Sequence, residues 1–158
     1  MGQQILVIAA IVLLSLATLN VFKVALASQQ TFTESEIVAR ALYIGQNFIE
    51  EAKTKFFDAS SATAPITSPD QLTSGLGPRN DESYPQFNDV DDYHNFDETI
   101  IDNGESFRVQ ITVFYVDKNS GNYPNQVYYR TYQKRFKVRI SHRALQYPLV
   151  LNHVFTYY

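Results

Sequence analysis

Residues 5–19 read ILVIAAIVLLSLATL, an aliphatic run that only Ser15 and Thr18 interrupt. No charged side chain occurs between Met1 and Phe22. A helix needs roughly 20 apolar residues, each rising about 1.5 Å, to cross the hydrocarbon core of a bilayer. Residues 5–27 supply this length, so the run predicts a helix that either spans a membrane or is buried among copies of itself.

Three interpretations of this apolar segment compete. Ala25-Leu26-Ala27 before Ser28 fits the small-x-small pattern of a signal-peptide cleavage site. A single-pass anchor needs the same apolar length. The third interpretation is a retained helix that leaves the membrane and forms the core of a filament. The opening Met1-Gly2-Gln3-Gln4 lacks the basic residues of a secretory signal, so we expect the helix to be retained.

The large apolar side chains of the run are the expected contacts of a filament core. Each of them stabilises an assembly by roughly 1.5–3 kcal/mol when it is fully removed from water. The set comprises Ile5, Leu6, Ile8, Ile11, Leu13, Leu14, Leu16, Leu19 and Phe22. We therefore expect residues 1–27 to be the membrane or filament segment of a longer helix over residues 1–58.

The second half of that helix is amphipathic. No proline occurs from Val21 to Phe57, and apolar residues recur at spacings of three and four within residues 33–58. The stripe expected to cover a sheet consists of Ile37, Ala41, Ile44, Phe48 and Phe56. Thr33 with Glu36 also has the form of a capping box. A continuous helix and a fresh helix start after a kink near residues 28–32 are therefore both open.

Residues 59–106 read as a surface linker followed by an acidic loop. Pro65 and Pro69 exclude a helix in the linker. Residues 81–105 contain nine acidic side chains and no Lys or Arg. Asp89, Asp91 and Asp92 could bind calcium, which prefers six to eight oxygen ligands, although their spacing is not that of an EF-hand. The alternative is a loop held by hydrogen bonds from its own backbone to the Asp side chains.

Residues 107–158 predict an antiparallel sheet that packs on residues 33–58 as one domain. Apolar and polar residues alternate from Phe107 to Asp117 and again within Val127 to His142, and Leu149 to Tyr158 forms a further strand. The inward residues are Val109, Ile111, Val113, Phe136, Val138 and Ile140. An antiparallel sheet with one apolar face needs a cover. The predicted fold class is α+β, with a long N-terminal helix packed on three or four antiparallel strands.

Composition and motifs narrow the function. Cysteine is absent and the net charge is −3, which disfavours disulfides, thiolate metal sites and general nucleic-acid binding. His94, His142 and His153 lie far apart in sequence and no catalytic motif occurs. We therefore expect no enzyme activity, and no cofactor apart from the calcium ion considered above.

The late strand carries a basic strip that includes Arg135, Lys137 and Arg139, on the face opposite the apolar one. Lys134 belongs to the same basic stretch of sequence. A solvated outer face is the plainest interpretation. A second interpretation is that the strip meets the aspartates of the acidic loop on a neighbouring copy, which would help to set register.

An apolar helix that becomes amphipathic, then a loop, then an antiparallel sheet resembles the plan of type IV pilins and pseudopilins. Residues 87–94, FNDVDDYH, with residues 107–117, FRVQITVFYVD, are similar to a loop and strand of minor pilins of the mannose-sensitive haemagglutinin type. Pilins typically have a glutamate at the fifth mature position, whereas this chain has Gln3, Gln4 and Ile5. Assembly would therefore depend on apolar helix packing.

This resemblance implies a structural subunit of an extracellular prokaryotic filament at the cell surface. Identical subunits would polymerise through their apolar helices and would be inserted in the membrane before assembly. The alternative is a membrane-anchored pseudopilin or adhesin head that forms no long filament. Which surface such a head recognises is not specified by the sequence.

Overall fold

The computed structural model describes residues 2–79, 82–121 and 123–158. Residues 80 and 81 of the predicted acidic region, and residue 122, lie outside these ranges. The chain divides into two compact units, which we call the stem (residues 2–37) and the head (residues 38–158). Its main elements are helix α1 (Gly2–Lys53) and strands β1 (Phe96–Asp102), β2 (Glu105–Tyr115), β3 (Gln133–Ser141) and β4 (Leu149–Thr156). The predicted α+β class is confirmed.

Helix α1 continues without a break through residues 28–32. Thr33 does not cap a new helix, because its Oγ1 donates a hydrogen bond to the carbonyl of Gln29, 3.0 Å away, one turn earlier. The helix ends at Lys53 rather than at residue 58. The two alternatives that the sequence left open at the capping box are thereby resolved in favour of a continuous helix.

Phe56 lies beyond the helix end and does not belong to the packing stripe. Its N–H donates to the carbonyl of Asn88 at 3.1 Å, and its carbonyl accepts from the N–H of Val90 at 2.9 Å. This short bridge turns the chain out of the helix, and the Phe56 side chain is 53% exposed. The prediction that Phe56 packs between helix and sheet is therefore wrong.

The four strands form one antiparallel sheet in the order β1-β2-β3-β4. Strand β1 falls within the segment that we expected to be an acidic loop. Asn103 and Gly104 join β1 to β2 with φ angles of 47° and 81°, which is the backbone of a two-residue hairpin turn. The sheet therefore begins at Phe96 and not at residue 107.

The inner face of the sheet forms the core of the head. The predicted inward residues Val109, Ile111, Val113, Phe136, Val138 and Ile140 are each at most 1% exposed. Helix residues 38–53 contribute Ala41, Ile44 and Phe48, which are also buried, as is Ile37 at the end of the stem. The ring of Phe48 lies 5.3 Å from that of Phe96 on β1, so helix side chains cover the sheet within the head.

Gly45 permits the close approach of the helix to β3 and β4. A Cβ at this position would overlap Leu151 Cδ1 and lie 2.7 Å from Ile140 Cδ1. We expect Gly45→Ala to destabilise the head by about 1–3 kcal/mol through overpacking, although alanine favours an exposed helix by roughly 1 kcal/mol.

Urea unfolding of the full chain in detergent checks this prediction. All 11 tyrosines lie in residues 43–158, so tyrosine fluorescence reports on the head. The Leu151→Ala background removes the atom that overlaps most, while Ile140 Cδ1 stays 2.7 Å from the Cβ position. Gly45→Ala should therefore lose part of its effect there, and an equal loss of stability in both backgrounds would contradict the packing account.

Candidate functional site

The stem presents a continuous apolar surface. Every residue from 2 to 36 is exposed. The nine side chains expected to form a filament core are between 54% and 72% exposed, namely Ile5, Leu6, Ile8, Ile11, Leu13, Leu14, Leu16, Leu19 and Phe22. Helix α1 is long and apolar enough to cross a membrane, and none of its most apolar window is buried. An exposed apolar surface of this extent marks an interaction with a membrane or with other protein.

The hydroxyl groups within this surface are already satisfied. Ser15 Oγ donates to the carbonyl of Ile11 and Thr18 Oγ1 donates to that of Leu14, each at 2.8 Å. Helices in apolar surroundings use such bonds because no water is present to accept the proton. Lys23 is the only charged residue between positions 2 and 33. The stem can therefore enter an apolar environment with few unpaired polar groups.

The aspartates of the predicted acidic loop lie inside the head. Asp91 and Asp92 begin a short 3-10 turn, and Asp89, Asp91 and Asp92 are only 3%, 2% and 2% exposed. Asp89 Oδ1 accepts from the N–H of Asp91 at 2.7 Å, and Asp92 Oδ2 accepts from the N–H of Asn88 at 2.9 Å. The loop thus has the hydrogen bonds from its own backbone to Asp side chains that were the alternative to a calcium site.

Two predictions for these aspartates do not fit this geometry. Buried carboxylates cannot meet the basic strip of a neighbouring copy, so the inter-subunit charge contact through Asp89, Asp91 and Asp92 is corrected. Calcium is likewise unsupported at these three residues. Within the part of the chain that the structure describes, no group of three or more His, Cys, Asp or Glu side chains is placed to hold a metal ion.

The position of Lys134 also differs from the prediction. Its side chain points to the inner face of the sheet and does not belong to the outer basic strip. It alternates in register with Phe136 on β3, and its side chain is completely buried. Its Nζ donates to the carbonyl of Phe57 at 2.8 Å and lies 4.3 Å from the centre of the Phe57 ring. A buried lysine requires charged or polar partners, since an uncompensated charge in the interior is very unfavourable.

Two aspartates from distant parts of the chain supply those partners. Lys134 Nζ lies 3.2 Å from Asp58 Oδ2 and 2.5 Å from Asp91 Oδ1. Thr73 connects the two carboxylates, because its Oγ1 lies 2.8 Å from Asp58 Oδ2 and 3.2 Å from Asp91 Oδ2. We call Asp58, Thr73, Asp91 and Lys134 the buried charge cluster. It joins the segment that follows the helix, the linker, the acidic turn and β3.

Burial and charge act on these carboxyls in opposite directions. Burial alone raises the pKa of Asp58, but Lys134 and hydrogen bonds from Ser60 and Thr73 outweigh it and lower that pKa to about 2. Burial raises the pKa of Asp91 to about 8 in spite of Lys134. Burial and the neighbouring Asp92 raise the pKa of Asp89 to about 6. Asp58 is thus the anionic partner of Lys134.

The raised pKa of Asp89 predicts a pH-dependent stability. Its folded pKa of about 6 exceeds the ordinary 3.8, so the native state binds more protons in that window and stability falls as pH rises through it. Asp89→Asn keeps an acceptor for the N–H of Asp91 but carries no charge. Relative to the parent chain, we expect this variant to gain about 2–3 kcal/mol between pH 4 and pH 7, at about 1.4 kcal/mol per pKa unit.

Comparing two chains at each pH cancels the titrations that do not interact with Asp89. Asp91 and Asp92 do interact with it, so their response is part of the measured difference. Burial lowers the pKa of His94 and of His153, and these shifts favour the native state as pH rises towards the ordinary histidine value. They are common to both chains and cancel in the difference. Urea unfolding followed by tyrosine fluorescence provides the measurement, and a difference that is constant with pH would contradict the assignment.

The outer face of the sheet carries the rest of the predicted basic strip. Lys137 and Arg139 are exposed and Arg135 is partly buried. Arg135 Nε donates to Asn152 on β4 at 3.1 Å. Arg139 lies opposite Gln110 on one side and Val150 on the other. Lys137 and Arg139 are therefore available to solvent or to another molecule.

The histidines do not converge on one place. His94 Nδ1 accepts from the N–H of Val113 at 3.2 Å, and His142 Nε2 lies 3.1 Å from Glu105 Oε2 at the other end of β2. His153 pairs with Phe136 across β3 and β4. Each histidine thus has a local structural environment of its own.

Three members of the buried charge cluster were missed by the sequence analysis. Lys134 shares the even-numbered alternation of Phe136 and Val138, which was the available signal for an inward side chain. For Asp58 and Thr73 no local pattern exists, since their partners are distant in sequence.

Comparison with protein-family models, with curated proteins and with solved structures finds no match to this chain. A functional proposal therefore depends on the stem, the outer sheet face and the buried charge cluster.

Proposed function

We propose that this chain is the structural subunit of an extracellular filament of the type IV pilus kind. Identical subunits are inserted in the membrane through the stem and then polymerise by packing stem against stem. The observation that supports this proposal is the exposed apolar surface of the stem, on which all nine predicted contact residues are more than half exposed. Packing of stems removes that surface from water and stabilises the assembly by about 25 cal/mol per Å² of apolar surface buried.

The properties of the head agree with a structural role. Its sheet is covered on one face by helix residues 38–53, and its largest buried side chains include Phe107, Phe136 and Tyr93. The exposed Lys137 and Arg139 give the outer face a basic character. In the proposed filament these heads lie outside the apolar core and contact one another laterally. The proposal includes no catalytic activity and no nucleic-acid partner.

A second candidate function is a membrane-anchored pseudopilin or adhesin head that stays a single copy. The length and composition of α1, which suffice to cross a membrane, favour it equally well. In that case lipid rather than neighbouring stems covers the apolar surface. The two candidates differ in what surrounds the stem, and therefore in the size of the particle that contains the chain.

Expression of the full chain in a host that assembles type IV pilus-like filaments separates the candidates. Cells are sheared, the released material is examined by electron microscopy, and the chain is detected with an antibody to the head. Long fibres labelled along their length are the expected result. The opposite result is recovery of all of the chain in the membrane fraction, as monodisperse single-copy particles after detergent extraction. That result would contradict the filament proposal and support the membrane-anchored head.

A further inference from the structure

The close contact between Lys134 and Asp91 is not an ordinary hydrogen bond. Lys134 Nζ lies 2.5 Å from Asp91 Oδ1, yet Asp91 Oδ1 makes no contact with the angles of a hydrogen bond. Both side chains are at most 3% exposed. An amine and a carboxyl group are thus held in contact in a buried site, closer than the roughly 2.7–2.9 Å that is usual for a charge-assisted hydrogen bond.

We propose that Lys134 Nζ and the side-chain carboxyl of Asp91 condense in the folded head to form an intramolecular isopeptide bond, with Asp58 and Thr73 carrying the proton. The site is a modification site within a single chain. It acts on no external substrate, and it is independent of whether the stems form a filament.

The chemistry balances without an oxidant or a co-reactant. Nζ forms a bond to Cγ of Asp91, the bond from Cγ to Oδ2 breaks, and Oδ1 becomes the amide carbonyl oxygen. Asp91 reacts as the protonated carboxyl. Of the three protons on the lysine ammonium, one stays on the amide nitrogen, one joins the departing hydroxyl of Asp91 to form water, and one is taken up by the ionised Asp58. The positive charge of Lys134 and the negative charge of Asp58 disappear together.

The other two members of the buried charge cluster provide a path for the proton. Asp58 Oδ2 lies 3.2 Å from Nζ and is the ionised acceptor beside it. The charge of Lys134 holds the pKa of Asp58 down, and as Nζ loses that charge, burial favours a protonated Asp58. The Thr73 hydroxyl lies within 2.8 Å of Asp58 Oδ2 and 3.2 Å of Asp91 Oδ2. It can therefore pass a proton from Asp58 to the departing oxygen. The raised pKa of Asp91 favours the protonated carboxyl that can leave as water.

The surroundings favour condensation over the reverse reaction. The ring of Phe57 lies 4.3 Å and that of Tyr115 lies 5.4 Å from Nζ, so two aromatic rings flank the pair. Groups held in contact react as though their concentration were about 10⁵–10⁸ M. The buried charges of Lys134 and Asp58 are replaced by a neutral amide and a protonated carboxyl, which relieves the desolvation penalty of the ion pair.

The mass of tryptic peptides tests the proposal. In a linear chain, trypsin releases residues 80–108, which contain Asp91, and residues 131–134, which end at Lys134. A linked Lys134 is not cleaved, so the expected product is a branched peptide of residues 80–108 and 131–135. Its mass is one water lower than the summed masses of linear residues 80–108 and linear residues 131–135. The full-length chain is purified in detergent, denatured and digested for this measurement.

Three variants test which side chains are needed to form the branched peptide. Lys134→Arg keeps the positive charge and Asp91→Ala removes the carboxyl, and neither should give the branched peptide. Asp58→Asn keeps both linked residues, and we expect at least a tenfold lower yield of the branched peptide. An undiminished yield in Asp58→Asn would remove Asp58 from the mechanism. Recovery of Asp91 and Lys134 from the parent chain only in linear peptides would overturn the proposal, whatever the stability of the variants.

Discussion

Replacing Leu13 by lysine should abolish filaments while leaving the chain in the membrane. Leu13 lies in the middle of the apolar stem and is 67% exposed. No carboxylate occurs between positions 2 and 33, so in a core of packed stems the new ammonium group has no partner. An unpaired charge in such an environment is among the most unfavourable substitutions known for protein interiors.

Membrane insertion is less sensitive than assembly to this change. One lysine at the centre of a spanning helix opposes insertion by about 2.5–3.5 kcal/mol, which the remaining apolar residues offset. The expected result is therefore a membrane fraction of normal amount and a sheared fraction without fibres. Leu14→Lys should behave in the same way.

Matched controls separate charge from other effects. Leu13→Met keeps the stem apolar and should assemble normally. Tyr128→Lys adds the same charge to the head, at a residue that is 94% exposed, and should also assemble. Fibres of normal length and number from Leu13→Lys would contradict stem packing as the basis of assembly, and they would favour the anchored head.

The elements that the sequence predicted well are those with a strong hydrophobic period. Strand β2 alternates from Phe107 to Tyr115, and its inward members are buried as expected. The amphipathic half of α1 follows the helical period, whereas the apolar half was predicted from a nearly unbroken aliphatic run. In each case a single local pattern carries the information, because one face must be removed from water.

Strand β1 shows why local pattern failed elsewhere. Of its residues only Phe96 is buried, and the others are exposed or intermediate, so it has almost no hydrophobic alternation. It is an edge strand rich in carboxylates, such as Asp97 and Glu98, and these residues suggested a loop. The Asn103-Gly104 pair was the signal that could have revealed the hairpin.

The helix end and the buried charge cluster depend on contacts across the chain. Phe56 continues the sequence spacing of the helical stripe. Its backbone, however, is hydrogen-bonded to Asn88 and Val90 and lies beyond the end of the helix. Lys134 looked like part of a basic surface because its neighbours Arg135 and Lys137 are basic. Its true environment requires Asp58, which lies 76 residues away in sequence. Sequence periodicity carries no information about such a partner.

Removing the charge of Lys134 should cause a large loss of head stability. Lys134→Met has a similar shape but leaves Asp58 and Asp91 buried without a cation. Breaking one side of a buried ion pair destabilises a protein by about 3–5 kcal/mol. A head with an ordinary free energy of unfolding, about 5–15 kcal/mol, would lose a large part of that free energy.

Lys137→Met is the matched control for this substitution. Lys137 lies on the same strand but on the exposed outer face, and we expect a change within about 0.5 kcal/mol. Urea unfolding of the full chain, followed by tyrosine fluorescence, measures both variants. Equal stability of Lys134→Met and Lys137→Met would show that the buried charge cluster contributes nothing that an apolar side chain cannot replace.

Adding a second change identifies the origin of the loss. Lys134→Met combined with Asp58→Asn also removes the carboxylate that is the anionic partner of Lys134 in the parent chain. The double variant should recover part of the lost stability, because a neutral amide is less unfavourable than an unpaired charge in the interior. No recovery would indicate that the lysine acts through packing, or through a bond to Asp91, rather than through its charge on Asp58.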